Sequence, residues 1–141
     1  MTAKKINLVA VQAKTELADY RDGDAFHAKM ASLMQEAARQ VDFGLPTLVS
    51  YPELVGMFLS FVPFFADDLE GEQSLEQAAM KIVMKNFARL SEDDRRTPET
   101  AARKLMFIDT ALDAEKMYVD AFSSLAREFG VYVAAGSIAL P

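Results

Sequence analysis

The chain has 141 residues, with 15 Lys and Arg against 21 Asp and Glu, one histidine and no cysteine. That length suits one domain able to bury roughly 68–70% of its unfolded surface, and an apolar fraction of 51% argues against a disordered chain. A net charge of −6 disfavours a nucleic-acid partner, and without cysteine these residues hold no disulfide framework, thiolate zinc site or cysteine nucleophile.

No apolar run approaches the roughly 20 residues of a membrane span. Met1-Thr2-Ala3-Lys4-Lys5 leads straight into a strand-like segment instead of a signal peptide's apolar core. A soluble cytoplasmic protein without a membrane partner is expected.

Ile6-Asn7-Leu8-Val9-Ala10-Val11-Gln12 is short and apolar on both alternating faces, the pattern of a strand buried on two sides. Residues 13–24 are polar with Gly23 and read as a loop, with Asp24 placed to cap the next element. Phe26, Met30, Leu33, Met34, Ala37, Ala38 and Val41 then fall on one helical stripe. Gly44 and Pro46 break it. Thr47-Leu48-Val49-Ser50-Tyr51 predicts a second strand, stopped by Pro52, and strand, helix, strand reads as a parallel βαβ unit.

The middle of the chain reads as helical. Ser74 and Gln77 make a capping box ahead of Leu75, Ala78, Ala79, Ile82, Val83, Phe87 and Leu90. Ser91-Glu92-Asp93-Asp94-Arg95-Arg96 reads as a solvated turn, and Thr97-Pro98 opens a helix running past Ile108. Whether that helix breaks near Asp113, before the stripe of Met117, Tyr118, Ala121, Phe122, Leu125 and Phe129, stays open at this level. Gly130 ends the stripe, and Val131-Tyr132-Val133-Ala134-Ala135-Gly136 predicts a third strand.

A strand ending in Ala10-Val11-Gln12, a strand running into Tyr51-Pro52-Glu53-Leu54-Val55-Gly56, and the later Leu125-Ala126-Arg127-Glu128-Phe129-Gly130-Val131-Tyr132-Val133-Ala134-Ala135-Gly136-Ser137 together resemble the N-terminal half of the nitrilase superfamily of carbon–nitrogen hydrolases. The likeness covers Ile6 to about Phe58 and about Met117 to Ser137. It implies an α/β chain forming the N-terminal sheet-plus-helices half of an α-β-β-α sandwich. Residues 1–141 would then be a single, partial domain with a variable helical insertion at about 63–113.

The resemblance also implies hydrolysis of a non-peptide carbon–nitrogen bond in an amide, nitrile or N-carbamoyl substrate by a glutamate, lysine and cysteine trio. It further implies a homo-oligomer of at least two chains and no cofactor. Glu53, following proline at the end of the second strand, matches the glutamate that takes the cysteine's proton. Leu54, Val55, Met57 and Phe58 would keep water off that carboxylate, with Met57 and Phe58 as pocket residues. The family's lysine and cysteine lie beyond the third strand; here no lysine follows Lys116 and cysteine is absent. An N-terminal piece of a longer hydrolase is the preferred explanation; the alternative is a non-catalytic interaction or assembly module that kept half the fold. Without the resemblance, Glu53 would read as a solvated loop residue or a charge answering a helix dipole.

Other constellations read as structural. His27 borders a helix stripe without the partners a zinc site needs, so no metal is expected. The acidic run Asp67-Asp68-Leu69-Glu70-Gly71-Glu72 fails the calcium-loop pattern at its third position. Ser137 lacks a nucleophile-elbow context, and Gly136-Ser137 reads as close packing or a turn. Methionines Met30, Met34 and Met117 read as core filling. Phe58, Phe61, Phe64 and Phe65 fit a substrate entrance or a satellite core equally well.

Overall fold

The computed structural model describes residues 5–42, 44–69 and 74–140. Readings that fall on residues 1–4, 43, 70–73 and 141, among them the amino-terminal leader argument and half of the acidic run, lie outside the described residues. The fold is α/β. Strands β1 (Asn7–Ala10), β2 (Thr47–Ser50) and β3 (Tyr132–Ala134) form a parallel sheet in the order β1-β2-β3. The register sets Leu8 beside Leu48 and Leu48 beside Tyr132.

Helix α1 (Gly23–Gln40) links the first two strands. Its cap is Asp22, whose carboxylate accepts the Ala25 N–H at 2.7 Å, and not Asp24 as the sequence suggested. The helix therefore starts earlier than its apolar stripe does, and Asp24 occupies the first turn, where a negative charge answers the dipole. Phe26, Met30, Met34 and Ala37 are buried. The polar loop before α1 contains a short 3-10 turn, Leu17–Tyr20, that buries Leu17 and Tyr20.

Helix α4 (Ala111–Phe129) packs on α1 and buries Ala114, Ala121, Phe122 and Leu125. It ends at Gly130 with φ of 63°, the left-handed C-terminal cap anticipated from sequence. Tyr51, Tyr118 and Phe26 meet the Phe122 ring edge-on at centroid distances of 4.9, 4.9 and 5.9 Å. Such pairs add to area burial, so Phe122 is the hub joining both helices to the end of β2.

The stretch between β2 and α4 builds its own core. A 3-10 segment, Met57–Phe64, passes into a π turn, Phe65–Leu69, followed by helices α2 (Leu75–Asn86) and α3 (Pro98–Arg103). Ser74 and Thr97 cap α2 and α3 as their sequences predict. The helix expected to run past Ile108 instead widens into a π turn at Lys104–Ile108 and breaks at Asp109 and Thr110 before α4. Phe61, Leu69, Ala78, Ile82, Ala101 and Leu105 are buried together, with Phe58, Phe64 and Phe65 packed against them. Of the two readings of the phenylalanine-rich loop, the structure bears out the satellite core.

Both helices that flank the sheet cover the face carrying Val49 and Val133. Among the described residues nothing covers the opposite face, so β1 is not buried on two sides as its pattern predicted: Leu8 is 73% exposed, Leu48 39% and Tyr132 73%, side by side across all three strands. Parallel sheets are ordinarily covered on both faces.

Candidate functional site

Glu53 lies in the turn that leaves the carboxyl edge of β2, the edge at which open α/β sheets form ligand crevices. Three contacts hold this turn against the segment that leaves β3. The Tyr51 N–H donates to Ala134 O at 2.8 Å, the Leu54 N–H to Ser137 Oγ at 2.8 Å, and the Gly56 N–H to Ser137 O at 3.1 Å. The sequence reading of Gly136-Ser137 as close packing holds. A β-carbon on Gly136, whose φ is 77°, would stand 2.0 Å from Pro52 O.

Leu54, next to Glu53, has φ of 59°. A branched side chain in the left-handed region costs roughly 1–2 kcal/mol, and such conformations persist only where surrounding structure over-determines them. The hydrogen bonds from Leu54 and Gly56 supply that constraint. Tyr20 adds another by donating its hydroxyl to Val55 O at 2.9 Å.

The apolar residues after Glu53 do not enclose it. Val55 is buried in the sheet-side core, Phe58 packs between the two hydrophobic clusters, Met57 is half-buried, and Leu54 and Glu53 are exposed. The physical reason is the turn itself, which sends Val55 inward to the core and leaves Glu53 and Leu54 together on the rim. Among the described residues, Phe58 thus packs against both hydrophobic clusters and Met57 is half-buried, while Glu53 stays exposed beside them.

Burial rather than charge governs the tyrosines around the turn. Desolvation pushes the Tyr51 hydroxyl far above its ordinary value, with its proton donated to Met30 O at 2.9 Å. Desolvation is also the first cause of the upward shifts of Tyr20 and Tyr118, and Tyr118 donates to Ala135 O at 2.7 Å. Tyr20 and Tyr118 thus tie a loop and a helix to backbone near the carboxyl edge of the sheet, and Tyr51 ties that edge to the backbone of α1.

Three further features escaped the sequence reading. His27 Nε2 lies 3.0 Å from Ser124 Oγ, and the serine hydroxyl donates to Ala121 O, an assignment that leaves the imidazole N–H as donor to the serine. A concavity of about 740 Å³ gathers Lys85, Arg89, Asp109 and Asp113 between α2 and the start of α4. An apolar groove of about 970 Å³ lies between α2 and α3. The groove had a signal in the sequence: the apolar arc of α2 is too wide for one buried stripe.

Among the described residues no group of three or more His, Asp or Glu side chains is placed to hold a metal ion. No described helix is long and apolar enough to cross a membrane. The geometry defines an α/β layer with a constrained, carboxylate-bearing turn at the carboxyl edge of a parallel sheet. Comparison with protein families, with curated proteins and with solved structures returned no match to this chain.

Proposed function

We propose that this chain is the N-terminal half of a nitrilase-like carbon–nitrogen hydrolase in which Glu53 is the general base. The observation that carries the reading is the constrained turn: a left-handed Leu54 beside Glu53, held by Ser137 at the carboxyl edge of the sheet. Strain kept at a ligand-facing edge is what catalytic turns store. The bare face of the sheet supports the same reading, because in a four-layer sandwich a second sheet would cover Leu8, Leu48 and Tyr132.

In that arrangement the remainder of the parent chain supplies a cysteine and a lysine. Glu53 takes the thiol proton, the thiolate adds to the amide or nitrile carbon, and the lysine stabilises the charge that develops on the substrate. Water then hydrolyses the covalent intermediate. The second sheet would also close over Glu53 and desolvate it, which its exposed position here leaves undone.

The coding sequence beyond Pro141 should continue in frame to a lysine and a cysteine. In the parent, Glu53→Gln should lower kcat by at least 10²-fold, the lower end of typical general-base contributions, with little change in KM. The 141-residue chain alone should turn over no amide, nitrile or N-carbamoyl compound. A parent that keeps its rate with Glu53→Gln, or turnover by the short chain, would overturn the proposal. The absence of cysteine from these residues favours a second reading, a non-catalytic interaction or assembly module; an open reading frame lacking a downstream cysteine would select it.

A further inference from the structure

Helix α2 carries two apolar faces. Ala78 and Ile82 turn inward and are fully buried. Met80 and Met84 of α2 and Phe87, the residue just past its end, at i, i+4 and i+7, are 63%, 73% and 38% exposed. A solvated helix face is ordinarily polar, and this one instead forms, with Val83 and with Pro98 and Ala102 of α3, the wall of the 970 Å³ groove. Methionine side chains are flexible and polarisable, properties that suit a surface adapting to an apolar partner.

Among the described residues, the charged ones lining the groove are Glu76 and Glu99, both acidic. At 100° per residue, Lys81 and Lys85 fall about 60° and 100° beyond Met84, on the flank of α2 outside the groove's lining. Arg95 lies outside the lining, with its guanidinium over the Phe87 ring at 5.9 Å and bonded to Leu90 O and Ala88 O. The ring therefore already accepts a cation on one face.

We infer that this groove docks a basic amphipathic helix of a partner protein. Met80 to Phe87 spans two turns, about 10.5 Å along the axis, which matches apolar anchors at i, i+3 or i+4, and i+7 on the incoming helix. Lysine or arginine flanking those anchors meets Glu76 and Glu99. A second copy of this chain is the poorer occupant: paired groove to groove it would set Glu76 and Glu99 against their own kind, in a molecule of net charge −6. A fatty anion meets the same repulsion. The inference is independent of the proposed hydrolase, since the groove lies in the stretch without family resemblance and away from Glu53.

The test is fluorescence anisotropy of a fluorescein-labelled synthetic peptide of leucine and lysine at helical spacing, titrated with the 141-residue chain at physiological ionic strength. Saturable binding is expected, weakened about tenfold or more by Met80→Gln with Met84→Gln. These are exposed exchanges between good helix formers, and circular dichroism checks that the variant is folded. Glu76→Gln with Glu99→Gln should weaken binding and flatten its salt dependence. Leu8→Gln with Tyr132→Ser, on the bare sheet face, should leave it unchanged. Equal binding of a leucine and glutamate peptide, indifference to the methionine substitutions, or loss through the sheet-face pair would each overturn the inference. So would a dimer in sedimentation that dissociates on Met84→Gln, which would assign the groove to a second copy.

Discussion

Gly130 and Gly136 share the left-handed backbone region and differ in what surrounds them. A β-carbon at Gly130 meets nothing within 4 Å, whereas at Gly136 it meets Pro52 O at 2.0 Å. Gly130→Ala should therefore cost about 1 kcal/mol, the conformational penalty alone. Gly136→Ala adds a backbone collision and should cost on the order of 4 kcal/mol or more. Urea denaturation of the two variants measures the difference, and equal losses would show that the segment after β3 does not close on the Glu53 turn. The buried phenols set a second expectation. Tyr51, Tyr20 and Tyr118 are all shifted upward from an ordinary value of 10.0, chiefly by desolvation. A folded-state value above the unfolded one means that the native state holds these protons longer, so their stabilising contribution is complete below about pH 10 and falls as the pH rises beyond it. Alkaline titration followed by tyrosinate absorbance and circular dichroism should show the buried phenols ionising together with unfolding.

The helices test their own boundaries. Asp22 caps α1, and its carboxyl is held below the usual carboxylate range, first by the Arg21 guanidinium and then by the Ala25 N–H. Asp22→Ala should cost about 1 kcal/mol, and Asp24→Ala much less, since the cap bond belongs to Asp22. Because the folded value is depressed, this contribution is present above the unfolded carboxyl value near 3.8 and disappears as the pH falls through the folded one. Thermal melts of both variants at pH 7 and pH 3 check the assignment: the gap between Asp22→Ala and wild type should narrow at the lower pH. Helix α2 shows a different consequence of boundaries. Its inner arc is tied down by Ile82 and Ala78, and its outer arc is left to solvent or to a partner.

Across the whole molecule the two faces of the sheet are unequal. One is sealed by α1 and α4; the other presents Leu8, Leu48 and Tyr132 in a continuous row, with Ala10, Ser50 and Ala134 exposed in the next. The 141-residue chain should bind a hydrophobic dye such as anilinonaphthalene sulfonate or associate as its concentration rises. Leu8→Gln with Tyr132→Ser should lower that signal to the share owed to the groove of α2 and α3 while leaving the helical circular dichroism intact. A dye-silent monomer over a wide concentration range would contradict the half-sandwich reading at its physical foundation. The two apolar surfaces are separable in this experiment, because the groove of α2 and α3 responds to Met80 and Met84 instead.

Local chemistry determined much of this architecture. Apolar runs bounded by Pro46 and Pro52, the stripes of α1 and α4, the Ser74 and Thr97 caps and the Gly130 stop depend on residues within a few positions of one another, so the parallel α/β order was legible from sequence. The position of Glu53 after a strand was legible for the same reason. Its surroundings were not. The left-handed Leu54, the seat of Gly136 on Pro52 and the bonds that Ser137 accepts from Leu54 and Gly56 involve segments some 80 positions apart, and only the docking of β3 beside β2 brings them together. The phenylalanine-rich loop shows the same limit. Its composition was compatible with a pocket or a core, and the choice fell to the core because the π turns and α2 arrive to bury Phe61. Which arc of α2 faces inward was likewise decided by packing: periodicity marks apolar positions, but only a neighbouring surface determines which of them are removed from water.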